Sequence, residues 1–115
     1  MRTLDDLIES WHQLYAAGDA RCSPEAIAAV KEAVAQFDEA LAGIPEQGET
    51  RDSIFSALRQ VVFRLNEIGG LEGSYGSFIE TDDREVLVPL LLEKARAAGL
   101  QLRPGEDPTS VDRTW

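Results

Sequence analysis

Apolar residues in this chain recur every three or four positions in four separate stretches, a period that places them on one face only if each stretch is a helix. In the first, Leu4, Leu7, Ile8, Trp11, Leu14 and Tyr15 share one stripe. Thr3 stands where a cap belongs, Asp5 and Asp6 lie at the positive end, and Gly18-Asp19 closes the segment. The spacing predicts a helix over 4–17.

The second stretch opens with Ser23 as cap, Pro24 at the first helical position and Glu25 behind it. Ile27, Val30, Val34, Phe37 and Leu41 form its seam. Ala26, Ala29, Ala33 and Ala40 run beside them as a small-residue strip that would let another helix approach closely, and Gly43-Ile44-Pro45 is the stop. The third begins near Thr50 or Asp52 and runs to about Ile68. Ile54, Leu58, Val61, Leu65 and Ile68 line one face, Phe55 and Val62 widen it, and Gly69-Gly70 ends it as a glycine C-cap would.

The fourth stretch starts within Glu80–Glu85, with Thr81 or Asp82 as cap and a capping-box spacing from Asp82 to Glu85. Val86 to Leu92 is apolar around most of a helical circumference, so this helix is central or covered by a second subunit. Pro89 removes one hydrogen bond and crowds the carbonyl of Glu85, which predicts a kink. A buried strand over 85–92 is the alternative. Helix is preferred because Glu93 to Ala98 continues with strong helix formers and Gly99 closes the run.

Short connections between the first three helices favour antiparallel neighbours. The expected fold is all-α: a four-helix bundle or compact four-helix array, with a Gly-rich loop over 69–79 before the last helix. One helical domain over 1–103 is followed by a tail over 104–115, expected to dock.

At 115 residues the chain can bury one real core. Its 21 acidic and 11 basic residues give a net charge of −10, which repels nucleic-acid backbones and anionic lipid and attracts cationic partners. The single cysteine, Cys22, gives no sign of an oxidising compartment. Its place before a helix start is one where a thiol can have a lowered pKa, yet one histidine is all the chain offers as a base. Met1 to Asp6 lacks the apolar run of a signal peptide, and no stretch reaches membrane-spanning length, so a cytoplasmic location is expected.

Glu25 to Asp38 resembles the second helix of a tetratricopeptide repeat, with Ala26, Val30 and Ala33 near that pattern's positions and Trp11-x-x-Leu14 resembling its first helix. Three departures stand against it: Trp11 and Ala26 are too far apart, Asp38 stands where the repeat has proline, and no second copy follows. The resemblance implies a peptide- or protein-binding helical module. Ser77 to Arg84 resembles a segment of small acidic helical bacterial proteins of unknown function, which implies a bacterial origin and no chemistry.

Residues able to carry chemistry are sparse. Glu9 and His12 form an i, i+3 pair like those of di-iron bundles, but both fall outside the apolar face and no second pair exists. Glu80, Asp82, Asp83 and Glu85 form a dense acidic cluster without the alternating spacing and central glycine of a calcium loop, so capping or contact with a cationic partner is its expected role. Gly70, Gly73 and Gly76 lack the preceding strand of a dinucleotide loop and the Lys-Ser/Thr of a phosphate loop. No catalytic, metal-binding or cofactor-binding residue is assigned, and no enzyme activity or cofactor is expected.

Phe63 lies opposite the apolar face of the third helix, so the loop or Trp115 should cover it, or it is left exposed for a partner. Mutual cover of Phe63 and Trp115 is the favoured arrangement, with Tyr75 and Phe78 as other possible cover. Phe63, Tyr75, Phe78, Glu80, Asp82, Asp83 and Trp115 are the candidate partner-binding residues. The expected function is a non-enzymatic acidic protein-interaction domain, with an immunity- or antitoxin-like inhibitor of a basic protein as the concrete version. The alternatives are a scaffolding homodimer formed through the apolar fourth helix, or a small enzyme or metal-binding bundle. Neither nucleic acid nor membrane is an expected partner.

Overall fold

The computed structural model describes residues 3–44 and 50–115. Four helices carry the fold: α1 (Leu4–Ala16), α2 (Pro24–Ala42), α3 (Thr50–Gly69) and α4 (Thr81–Ala97), with a short 3₁₀ turn at Ala20–Cys22 between α1 and α2. No strand occurs among the described residues, and the strand alternative for 85–92 is excluded by α4. The stop assigned to Pro45 lies outside the described residues, as does the side chain of Thr50.

The helix starts follow from their capping chemistry. Thr3 Oγ1 accepts from the Asp6 amide at 3.2 Å while Asp6 accepts from the Thr3 amide at 2.9 Å, a reciprocal box that satisfies two otherwise orphaned donors. Ser23 Oγ accepts from the Ala26 amide at 3.2 Å, with Pro24 next in line. The start of α4 differs from the sequence expectation. Glu80, not Thr81 or Asp82, is the N-cap, and Asp83 rather than Glu85 reaches back, accepting from the Glu80 amide at 3.0 Å. The reason is tertiary: Asp83 is drawn inward to Trp11, and the helix onset is set three residues before it.

α2 packs along α3 as the most extensive helix pair, while α1 rests on α4. Leu7 and Trp11 of α1, Ile27, Val30 and Phe37 of α2, Ile54, Leu58 and Leu65 of α3, and Leu87 and Leu91 of α4 form one continuous core. In the small-residue strip Ala26 and Ala33 are buried, whereas Ala29 is half-buried and Ala40 exposed. Val86, Leu87, Leu91 and Leu92 are buried within the single chain, while Val88 and Leu90 are half-buried. α4 is continuous through Pro89. Pro89 and Glu85, whose carbonyl loses its helical partner, both lie on the exposed side, where water can serve that oxygen.

The glycines ending α3 are there for space, not for a left-handed backbone. A Cβ on Gly69 would stand 2.7 Å from the Phe78 ring and 2.8 Å from Ile79. On Gly70 it would meet Thr114 Oγ1 at 2.3 Å and the Asn66 Cα at 2.9 Å. The loop therefore folds back on the helix end and drives Phe78 and Ile79 into the core.

The tail is laid along α3. Asn66 donates to the Asp112 carbonyl at 2.7 Å and accepts from the Thr114 amide at 2.8 Å. Leu71 N donates to the Thr114 carbonyl at 3.2 Å. Leu100 and Trp115 are buried against the same core as the helices.

Gly70→Ala should cost roughly 1–3 kcal/mol of unfolding free energy, because the contact is partly with backbone that cannot swing aside. Gly43→Ala, whose Cβ would lie 3.6 Å from its nearest neighbour in ordinary helical conformation, should be neutral or stabilise by up to about 1 kcal/mol. Denaturant unfolding of both variants checks this, and equal effects would contradict the packing described.

Candidate functional site

Trp11 organises the most feature-rich surface of the molecule from within. Its ring is fully buried and meets Phe78 edge-on, with centroids 5.2 Å apart and planes at 84°, the geometry aromatic quadrupoles favour. Its Nε1–H donates to Asp83 Oδ2 at 3.3 Å, and the same oxygen accepts from the Glu80 amide. A carboxylate this buried is tolerable only when hydrogen-bonded. Asp83 is therefore a tie between α1 and α4.

Beside this tie lies a cleft of about 510 Å³. Ser10, Gln13 and Leu14 of α1 form one wall, Asp19, Arg21 and Cys22 the floor of the 3₁₀ turn, and Phe78, Glu80, Asp82 and Asp83 the other wall. Leu14 is 47% exposed and Tyr15, next to it, 42%. Both were assigned to the core stripe of the first helix. The stripe runs one turn beyond what α4 covers, so its last two apolar side chains face the solvent.

Arg21 is tied down on several sides. It donates through Nε and Nη2 to the two oxygens of Asp19 at 3.0 and 2.9 Å, through Nη1 to the Ser77 carbonyl at 3.0 Å, and stands 3.5 Å from Glu80. These bonds hold the Asp19 carboxyl below its ordinary value and raise the Arg21 guanidinium above its own. Gly76, at φ +84°, lets the loop pass close over the Arg21 stem, where a Cβ would stand 3.2 Å from two side-chain carbons.

Cys22 is buried, and burial pushes its thiol up to about 11, with the Asp19 charge adding to the effect. The lowering considered from its place before α2 does not occur, because the thiol is enclosed in the core instead of lying at the helix dipole's open end. At neutral pH it is a protonated, inert core residue. Glu9 and His12 are both exposed on α1, and no group of three His, Cys, Asp or Glu among the described residues is arranged to hold a metal ion.

The seven candidate partner-binding residues separate by burial. Glu80 and Asp82 are exposed on the rim of the cleft. Tyr75 is half-buried against the core. Phe78, Asp83 and Trp115 are buried and, in this conformation, offer a partner no side-chain surface. Phe63 is 43% exposed, with the Arg59 guanidinium 5.7 Å from its ring centre.

Phe63 and Trp115 do not cover each other. The Asn66 clamp holds Asp112 and Thr114 further along α3, so the Trp115 indole lands beside Ile79 and the start of α4, under Arg113 at 5.4 Å. Neither loop nor tail reaches over Phe63 enough to bury it. Leu14, Tyr15 and Arg21 were missed by sequence reasoning. The signal for the first two was their place in the last turn before Gly18-Asp19, where a stripe outruns its cover.

No family model, curated protein or solved structure matches the chain.

Within the tail, Asp107 accepts from Thr109 N at 2.9 Å, from Thr109 Oγ1, and from Arg113 Nη1 at 2.9 Å, which holds the segment in its folded-back shape. Burial works against ionising Asp107, but these bonds outweigh it and lower the carboxyl below 3.8. A lowered folded-state value stabilises above the ordinary one and is lost as pH falls through the folded one. The contribution of Asp107 to the folded-back tail should thus be fully present at neutral pH and be lost in acid, as the pH falls below the ordinary carboxylate range. Asp107→Asn should dock less firmly at neutral pH and lose that dependence. The indole ¹⁵N–¹H resonance of Trp115 reads this, and identical acid titrations of the two proteins would contradict it.

Proposed function

We propose that the chain is a non-enzymatic protein-interaction domain whose α1/α4 cleft receives a basic segment of a protein partner. One observation carries this reading: the cleft combines exposed acids on its rim, Glu80 and Asp82, with an exposed apolar wall at Leu14. A carboxylate rim steers a cation and sets its register, while the apolar wall supplies the water-excluding contact that gives affinity. Arg21 illustrates the chemistry, since its guanidinium already bridges Asp19, Ser77 and Glu80 at the cleft floor. The partner segment is therefore arginine- or lysine-bearing with an aliphatic or aromatic neighbour. An immunity- or antitoxin-like inhibitor, which neutralises a basic protein by covering its cationic surface, is the biological form that fits this chemistry and a cytoplasmic, bacterial setting. The net charge of −10 supports it by drawing cationic surfaces in from a distance.

An ¹⁵N-resolved titration with a short peptide alternating arginine and leucine tests the site. Shifts should concentrate at Leu14, Tyr15, Asp19, Glu80 and Asp82, weaken as salt rises, and fall about tenfold in affinity for Glu80→Gln/Asp82→Asn/Leu14→Ser. Shifts spread evenly over the exposed acids of α2 (Glu25, Glu32, Asp38 and Glu39), with no loss in the triple variant, would show general charge attraction and sink the reading.

A further inference from the structure

The exposed flank of α3 is chemically unlike the rest of the surface. Arg51, Phe55, Arg59 and Phe63 succeed one another at four-residue spacing and form a single ridge of alternating cation and aromatic ring. Arg51 lies 5.0 Å from the centre of the Phe55 ring, and Arg59 lies 5.7 Å from that of Phe63. A shallow depression between them is bounded by Asp52, Ser56 and Gln60. At its Phe63 end the ridge adjoins the tail, where Arg59 Nε meets Asp112 at 3.2 Å and the preceding Val111 is 84% exposed. Leu71, 69% exposed, lies where the loop bonds to Thr114.

Charge decides which occupant this flank suits. α1 carries Asp5, Asp6 and Glu9 with no Lys or Arg, and α2 carries four acids against Lys31. α3 alone has more cations than anions, Arg51, Arg59 and Arg64 against Asp52 and Glu67. Two chains at −10 repel each other over most of their surface, and α3 is the flank where that repulsion is least.

We infer that this ridge is a self-association surface whose occupant is the same ridge of a second copy, related by a two-fold axis. The order Arg-Phe-Arg-Phe, read antiparallel, is Phe-Arg-Phe-Arg. With the axis passing near Ala57, Arg51 of one copy faces Phe63 of the other, and Phe55 faces Arg59. Each guanidinium then lies between two rings and each ring between two guanidiniums, a desolvated cation–π ladder that an isologous contact generates from one sequence. The homodimer first considered from sequence ran through α4; this one uses a different face and does not depend on the α1/α4 cleft.

Sedimentation equilibrium over a concentration series, at low and high salt, tests it with the full chain. The expected result is a monomer–dimer equilibrium that salt strengthens, because screening relieves the repulsion between two acidic bodies; binding of a basic segment in the cleft moves the opposite way. Phe63→Ser and Arg59→Glu should each weaken the dimer by about tenfold or more, and Leu14→Ser should leave it unchanged. Both α3 side chains are substantially exposed, and circular dichroism of each variant checks that it folds. A monomer at every concentration in high salt would overturn the inference. So would a dimer indifferent to both α3 variants.

Discussion

Trp11 is the point at which three segments distant in sequence become one structure. Its indole buries α1 against the core, its ring edge fixes Phe78 at the end of the glycine-rich loop, and its N–H takes hold of Asp83 in the first turn of α4. Asp83 in turn sets where α4 begins by accepting from the Glu80 amide. Remove the indole and a buried carboxylate loses one of its donors, and Phe78 its edge-on neighbour. The cleft walls are the two sides of this tie, so the site's shape is a consequence of the core and not of a separate loop.

Two surfaces of different chemistry result. The α1/α4 side gathers Asp19, Glu80 and Asp82 around exposed Leu14, whereas α3 presents arginines stacked on phenylalanines. In an acidic protein this separation has a physical use. Under the two proposals the acidic side would attract cationic chains over a distance, while the α3 side would tolerate approach by a body of like net charge. Salt should therefore act on the two in opposite directions, a contrast that general stickiness would not produce.

Helix number, helix extents and the caps of α1 and α2 were legible because each depends on a few neighbouring residues: Thr3 with Asp6, Ser23 with Pro24, and apolar spacing throughout. What could not be read locally depended on contacts across the fold. Asp83 looked like one acid in a capping cluster until Trp11, 72 residues away, claimed it. Gly69 and Gly70 looked like a backbone requirement, yet their small size admits Phe78, Ile79 and Thr114. Of the candidate site, Glu80 and Asp82 were found from charge, but Leu14 and Tyr15 were hidden by a periodicity that does not reveal how far a neighbour's cover extends. Phe63 was singled out correctly as an aromatic on a polar face; its cover was misjudged because the Asn66 clamp fixes where the tail lands.

The most direct measurement is a double-mutant cycle on the tie itself, with Trp11→Phe, Asp83→Asn and the pair read by denaturant unfolding. Trp11→Phe keeps an aromatic in place and removes the N–H, so the cycle isolates the bond from the packing and from the cap that Asp83 also supplies to Glu80. A coupling energy of about 1 kcal/mol or more, with the double variant losing less than the sum of the singles, is the result this account predicts. Strictly additive losses would mean that Trp11 and Asp83 act independently, and that the α1/α4 cleft is not built on their contact.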